Sequence, residues 1–144
     1  MDKNLKKINL FLSKHHVMNL ATSIGDELSV CGLFYAFSVD KLSFVVASSD
    51  DTTHIKHINK NSKIAGSIVL ETKEVGKIQG VQFRGNFFPL QNSSLKKLYF
   101  KAFPYAIVIK PTLWQIKVDY FKMTDNRLGF GKKLIWEDLK ESLT

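Results

Sequence analysis

The chain has 144 residues and a formal net charge of +8, with 21 Lys/Arg against 13 Asp/Glu. That length supports a single domain, 1–144, around one core. A 44% share of aliphatic and aromatic residues excludes a disordered chain, and no apolar run approaches the ~20 residues of a membrane helix. One cysteine, Cys31, rules out an intrachain disulfide and suits a reducing cytoplasm.

Residues 3–14 place Leu5, Ile8 and Leu12 on one helical face, with Lys3, Lys6, Lys7 and Lys14 elsewhere, so they predict an amphipathic helix on a core. This segment lacks the long apolar stretch and cleavage site of a secretory signal. Residues 16–24 alternate as a strand, "GD" at 25–26 makes a hairpin turn, and a second strand runs over 28–37. "LSFVVAS" is a third strand. Asp51 or Thr52 then caps a short helix that buries Ile55 and Ile58.

"IAGSIVL" (64–70) is a buried strand, and "TKEVGK" turns the chain. In "IQGVQFRGNFFPL", Val81, Phe83, Gly85 and Phe87 face one way, and Gly80, Gln82, Arg84 and Asn86 the other. One face is core; the polar one meets solvent or walls a site. A helix capped by Asn92 or Ser93 follows and stops at Pro104. Residues 105–110 are apolar and fit helix or strand equally. In "LWQIKVDYFKM", Trp114, Ile116, Val118 and Tyr120 oppose Gln115, Lys117 and Asp119. "IWEDLKESL" predicts a short terminal helix. The fold class is therefore mainly β with packed α-helices. An antiparallel barrel is favoured because so many short strands in an open sheet would expose edges.

The basic excess lies at the two ends: residues 17–92 balance at seven Lys/Arg and seven Asp/Glu. Such charge suits nucleic acid or a phosphorylated small molecule, yet no zinc-finger or RNP spacing is present. "DNRLGFGKKLIW" (125–136) fails the P-loop pattern, because Gly131-Lys132 is followed by Lys133, and it is taken as a turn. His54 and His57 share a helix face without a third ligand at recognisable spacing, so a structural role outweighs metal binding. The strand-to-helix junction "VVASSDDTTHIK" carries Ser48, Ser49, Thr52 and Thr53, with Lys56 one turn on. Helix N-termini attract anions, so the junction is a candidate phosphate site alongside ordinary capping.

The segments "LSFVVASSDDTTHIKHINKNSKIAGSI", "GVQFRGNFFPL" and "LWQIKVDYFKMTDNRLGFGKKLIW" together resemble the pyridoxamine 5′-phosphate oxidase-like FMN-binding split-barrel superfamily, in a bacterial branch with a similar "LGFGKK" tail. The resemblance implies a split β-barrel, a homodimer, and FMN in clefts between subunits. It implies Ser48, Ser49, Thr52, Thr53 and Lys56 at the FMN phosphate, Gln82 at the flavin ring, and Lys132 and Trp136 as lids over the cleft, with a core position equally open for Trp136. Thr53 and His54 stand where the oxidases carry an Arg-Lys pair, so Lys56 or Lys132 is expected to supply the missing charge. The tail lacks the Arg-x-His pair that holds substrate in the oxidases, so pyridoxamine phosphate oxidation itself is not expected. The function implied is flavin-dependent oxidoreduction. The alternatives are a barrel that has lost FMN and binds nucleic acid, or one that holds another planar cofactor such as haem through His54, His57 or His16.

Overall fold

The structure, a computed structural model, describes residues 1–139. Helix α1 (Lys3–Ser13) begins where the Asp2 carboxylate accepts from the Asn4 and Leu5 amides at 2.8 and 3.0 Å. It buries Leu5, Ile8, Phe11 and Leu12. Strands β1 (Val17–Ile24) and β2 (Glu27–Ser38) form a hairpin around Gly25, and β3 (Ser43–Ala47) completes a meander. Helix α2 (Thr53–Ile58) buries Ile55 and Ile58 as expected. Its N-cap residue is Thr52, but no side chain caps it: the Thr52 hydroxyl donates to the Ser49 carbonyl instead.

Then come β4 (Lys63–Val69), a 3-10 turn (Val75–Lys77) and β5 (Gln79–Pro89). Helix α3 (Ser93–Ala102) is capped by the Asn92 side chain on the Leu95 amide. The ambiguous segment forms a single-turn helix, α4 (Ala106–Ile109). The chain continues as β6 (Leu113–Asp125), a 3-10 turn (Asn126–Leu128) and β7 (Lys133–Glu137). The terminal helix expected from residue 135 is corrected in part. Residues 135–137 are strand, drawn into the sheet by pairing with β6, and residues from 140 lie outside the described ones.

All pairings are antiparallel, in the order β3-β2-β1-β4-β5-β6-β7, and β3 also pairs with β6. Six strands thus close a barrel, as the edge argument anticipated. Along one of its edges β6 changes partner. Residues 113–117 bond to β3 and residues 120–124 to β7, which is how the barrel splits. The inward residues fill the barrel with rings. Phe44 lies 4.7 Å from Phe83 and 6.2 Å from Phe121, centroid to centroid. Each such buried side chain is worth ~1.5–3 kcal/mol. Helix α3 covers the outside of β2 and β3, where Leu95 and Tyr99 pack on Ala36 and Val45.

One expected periodicity breaks. Val118 and Tyr120 were to share a face, but Arg84 pairs with Tyr120 while the next β5 residue, Gly85, pairs with Val118. Asp119 is therefore a bulged residue, and a bulge reverses alternation. Phe121 and Met123 turn into the core, and Tyr120 turns out. Gly85 permits this, since a Cβ there would sit 2.1 Å from the Lys117 carbonyl oxygen. Among the described residues, no helix is long and apolar enough to cross a membrane.

Candidate functional site

The outward side chains of β1, β4, β5 and β6 form rungs across the barrel wall. Asn19 lies opposite Ser67, Ser67 opposite Gln82, and Gln82 opposite Lys122. A second rung runs Val30, Ala21, Ala65, Arg84, Tyr120. Paired side chains of this kind stand ~4.5–5.5 Å apart. The middle of both rungs is small: Ala21, Ala65, Ser67 and the neighbouring Gly66. With large residues at the sides and small ones between, the wall sinks into a trough of about 630 Å³, within the range for small-molecule sites.

The floor shows why Gly66 is there. A Cβ on it would meet the Phe83 ring tip at 2.3 Å and the Asn19 carbonyl oxygen at 2.7 Å. Phe83 and Leu20 thus underlie the trough from the core side. At one rim the Arg84 guanidinium lies 4.0 Å over the centre of the Tyr120 ring, a pairing worth ~0.5–1 kcal/mol at an exposed site. The trough lining includes two cations, Arg84 and Lys122, and no carboxylate. Beyond the Arg84–Tyr120 wall, a recess of about 580 Å³ carries mixed charge, with Asp119, Glu137 and Asp138 beside Lys63 and Arg84. The trough therefore has an apolar floor, amide and hydroxyl groups along its length, and positive charge. That combination is chemically suited to a flat, polar-edged, anionic ligand.

Of the residues singled out in the sequence, the structure brings only Gln82 into this trough. The β3–α2 junction stands apart and is bonded to itself. Ser48 Oγ shares a short hydrogen bond with His54 Nε2. Thr52 Oγ1 lies 3.4 Å from the same nitrogen and donates to the Ser49 carbonyl at 2.9 Å. Trp114 Nε1 donates to the Ser48 carbonyl at 3.0 Å. Ser49, Thr53 and Lys56 are exposed there. Lys132 stands exposed on the β6–β7 turn. Trp136 packs against the core with its ring 6.1 Å from that of Phe121. Neither lines the trough.

Both α2 histidines are buried and engaged. Burial, then the nearby charge of His57, holds the His54 imidazole below its ordinary pKa, so it is neutral at pH 7. His57 Nδ1 and Thr22 Oγ1 are hydrogen-bonded at 2.9 Å, and its Nε2 lies 3.1 Å from a Glu27 carboxylate oxygen. These contacts tie α2 to the β1–β2 hairpin. Cys31 packs partly buried against the core, and burial raises its thiol pKa, which suits structure better than nucleophilic chemistry.

Asn19, Ser67, Tyr120 and Lys122 were not found from sequence, and Arg84 was placed only on the polar face of β5 that it shares with Gln82. A signal was available for two of the strands: small residues at outward positions, Ala21 in β1 and Ala65 and Ser67 in β4, leave room on the outer face. For Tyr120 there was none, because the bulge that turns it is a tertiary feature.

No protein-family profile matches the chain. Among curated proteins, it is 33% identical over 138 residues to UPF0306 protein plu4501 of Photorhabdus laumondii, covering 94% of this chain and 96% of that one. It is 34% identical over 138 residues to UPF0306 protein YhbP of Escherichia coli, covering 94% and 99%. Solved structures share the fold at low identity. A heme binding protein from Mycobacterium smegmatis superposes with a TM-score of 0.77 at 14% identity over 99% of this chain and 61% of that longer one. A NimC/NimA family protein from Clostridium acetobutylicum gives 0.66 at 18%, over 93% of both chains. A putative pyridoxamine 5′-phosphate oxidase from Listeria innocua gives 0.66 at 13%, over 83% and 96%. The split-barrel fold of the oxidase-like proteins is thereby established for this chain.

Proposed function

The chain belongs to the UPF0306 family, and we propose that it binds flavin mononucleotide in the outer-face trough and uses it to oxidise or reduce a small substrate other than pyridoxamine phosphate. The observation that carries this is the cross-strand rung Asn19–Ser67–Gln82–Lys122 above an apolar floor. The residues present fit such a group. The Gln82 and Asn19 amides donate and accept at a heteroaromatic edge, and Ser67 adds a hydroxyl. Lys122 and Arg84 supply the positive charge that the β3–α2 junction lacks at Thr53 and His54. A bound flavin supplies the redox chemistry; the chain supplies binding, orientation and exclusion of water. The Arg84–Tyr120 pair, held by its own stacking, gives the trough a fixed rim.

Two copies of the chain complete the site in this proposal. The sheet face beside the trough exposes Leu28, Val30 and Phe34, which are 80%, 71% and 59% accessible. Phe34 contacts Phe103 at 5.6 Å between ring centres, next to the exposed Ile107, Val108 and Ile109 of α4. Exposed apolar residues of this kind mark an association face, and in this proposal a second copy seated on it closes the trough to solvent. The exposed Ser49, Thr53 and Lys56, which the family resemblance puts at the FMN phosphate, do not line the trough of their own chain, so in this proposal Lys122 and Arg84 carry that charge.

Haem is the second reading, prompted by the Mycobacterium neighbour. The trough lining offers no histidine, cysteine or methionine; His54 and His57 are committed to internal bonds, and His16 is exposed outside the trough, which favours flavin. Titration of apo-protein with FMN, followed by flavin fluorescence or calorimetry, tests the proposal. Saturation in the micromolar range is expected, and no binding at ~100 μM overturns it. The absorption spectrum of protein from its native host separates a flavin from a Soret band.

A further inference from the structure

A second recess, of about 360 Å³, lies between α1 and the end of β6 and shares no lining residue with the trough. Its floor is apolar: Phe11, Leu70 and Met123, with Leu10 and Leu128 at the edge. Its rim is basic. Lys7 on α1 and Lys14, the residue that caps its C-terminus, are seven residues apart, about two turns or ~10 Å, with Leu10 and Phe11 between them on the same face. Among the described residues neither lysine has an ion-pair partner. Arg127 stands across from them. It donates from Nε at 3.0 Å and Nη2 at 2.9 Å to the two oxygens of buried Asp125, and its side chain is still 56% accessible. The fold thus brings together cations from the two basic ends of the sequence.

We propose that this recess is a binding site for a small organic anion, a phosphate monoester or carboxylate with an aromatic or short aliphatic body. The apolar floor takes the body, and Lys7 and Lys14 take the anionic group; Arg127, whose charge Asp125 already matches, adds only its remaining N–H donors. Asp125 does not repel the ligand, because its charge is already held by Arg127. A bare inorganic anion gains only the rim, and a neutral apolar molecule only the floor, so the site selects for both together. The volume lies at the small end of the ~300–1,000 Å³ typical of ligand pockets.

His15 is a built-in reporter. Its ring stacks on Phe11 with centroids 4.3 Å apart, and it lines the recess. Burial first, then the charges of His16 and Lys14, lower its pKa. The charged groups of the facing strand end are Asp125 and Arg127, and Lys7 completes the α1 side. An anion seated among these groups offsets the lysine charge and raises the imidazole pKa.

The test uses the full chain and phenyl phosphate, with inorganic phosphate and benzyl alcohol as single-feature controls, and reads the His15 imidazole resonances by NMR. Phenyl phosphate is expected to shift them saturably, at concentrations at least about tenfold lower than either control. It is also expected to raise the His15 pKa. The exposed-lysine variant Lys7→Gln/Lys14→Gln is expected to bind about tenfold more weakly without loss of fold. Gln82→Leu should leave the effect intact, which separates this site from the trough. His15 unmoved at ~1 mM phenyl phosphate, equal response to inorganic phosphate, or undiminished binding by the double variant overturns the proposal.

Discussion

The β3–α2 junction and the outer-face trough are both polar, and they differ in where their polar groups are spent. At the junction, Ser48, Thr52, His54 and Trp114 satisfy one another and the local backbone. In the trough, Asn19, Ser67, Gln82 and Lys122 point outward from a rigid wall, and the Arg84–Tyr120 stack is the packed feature. Hydroxyl density in a sequence therefore identifies a polar cluster without telling whether it faces itself or a ligand. A barrel wall answers that question, because its inward positions are filled by the core and its outward ones are not.

The largest expected effect comes from removing what lies beneath the trough. Phe83 is 1% accessible and contacts both Phe44 and Gly66, so Phe83→Ala should cost ~3–5 kcal/mol in denaturant unfolding. A loss below ~1 kcal/mol would mean that the floor is not part of the core. Next is Gly85→Ala, which presses a methyl against the Lys117 carbonyl and should cost ~1–3 kcal/mol. Because it strains the bulge that aims Tyr120 outward, FMN affinity should fall with stability. Affinity that stays constant would separate the bulge from the site.

Two trough substitutions should discriminate the regions directly. Gln82→Leu and Lys122→Gln are each expected to weaken FMN about tenfold, ~1.4 kcal/mol, with stability changed by less than ~0.5 kcal/mol. Lys56→Gln and Thr53→Val at the junction should weaken it less than Lys122→Gln does. The reverse ranking would move the phosphate to the junction.

The smallest effect is on pH dependence. The folded-state pKa of His54 lies below its ordinary 6.5, so above that value both folded and unfolded imidazoles are neutral and stability is full. As pH falls through 6.5 toward the lowered value, the unfolded chain takes up the proton first and stability drops. His54→Gln should flatten this acid limb in thermal unfolding between pH 7 and 5, and an unchanged limb would assign the drop to other groups.

Much of the architecture was legible in the sequence because it is written in local periodicity. Leu5, Ile8 and Leu12 repeat at helical spacing, and Val81, Phe83, Gly85 and Phe87 alternate, so α1 and β5 follow from the pattern of burial that each residue type needs. The same alternation put Gln82 on the polar face, and it lines the trough. Thr52 is the N-cap residue of α2, one of the two expected, but its hydroxyl donates to the Ser49 carbonyl instead of capping the helix, a choice settled by loop geometry. Residues 105–110 stayed ambiguous because a single-turn helix is too short to leave a period.

The sequence by itself determined the buried faces of α1 and β5, the course of the strands from β1 to β6, and that the ends of the chain carry the excess positive charge. Tertiary structure alone decided which outward side chains meet. Register places Asn19, Ser67, Gln82 and Lys122 in one line although they come from four strands. One bulged residue, Asp119, turns Tyr120 out to stack under Arg84. Docking of α1 beside the end of β6 sets Lys7 and Lys14 across from Arg127. The physical reason is the same in each case. Periodicity encodes the direction of a side chain relative to its own element, whereas a site is made by the registry between elements, which depends on contacts distant in the chain.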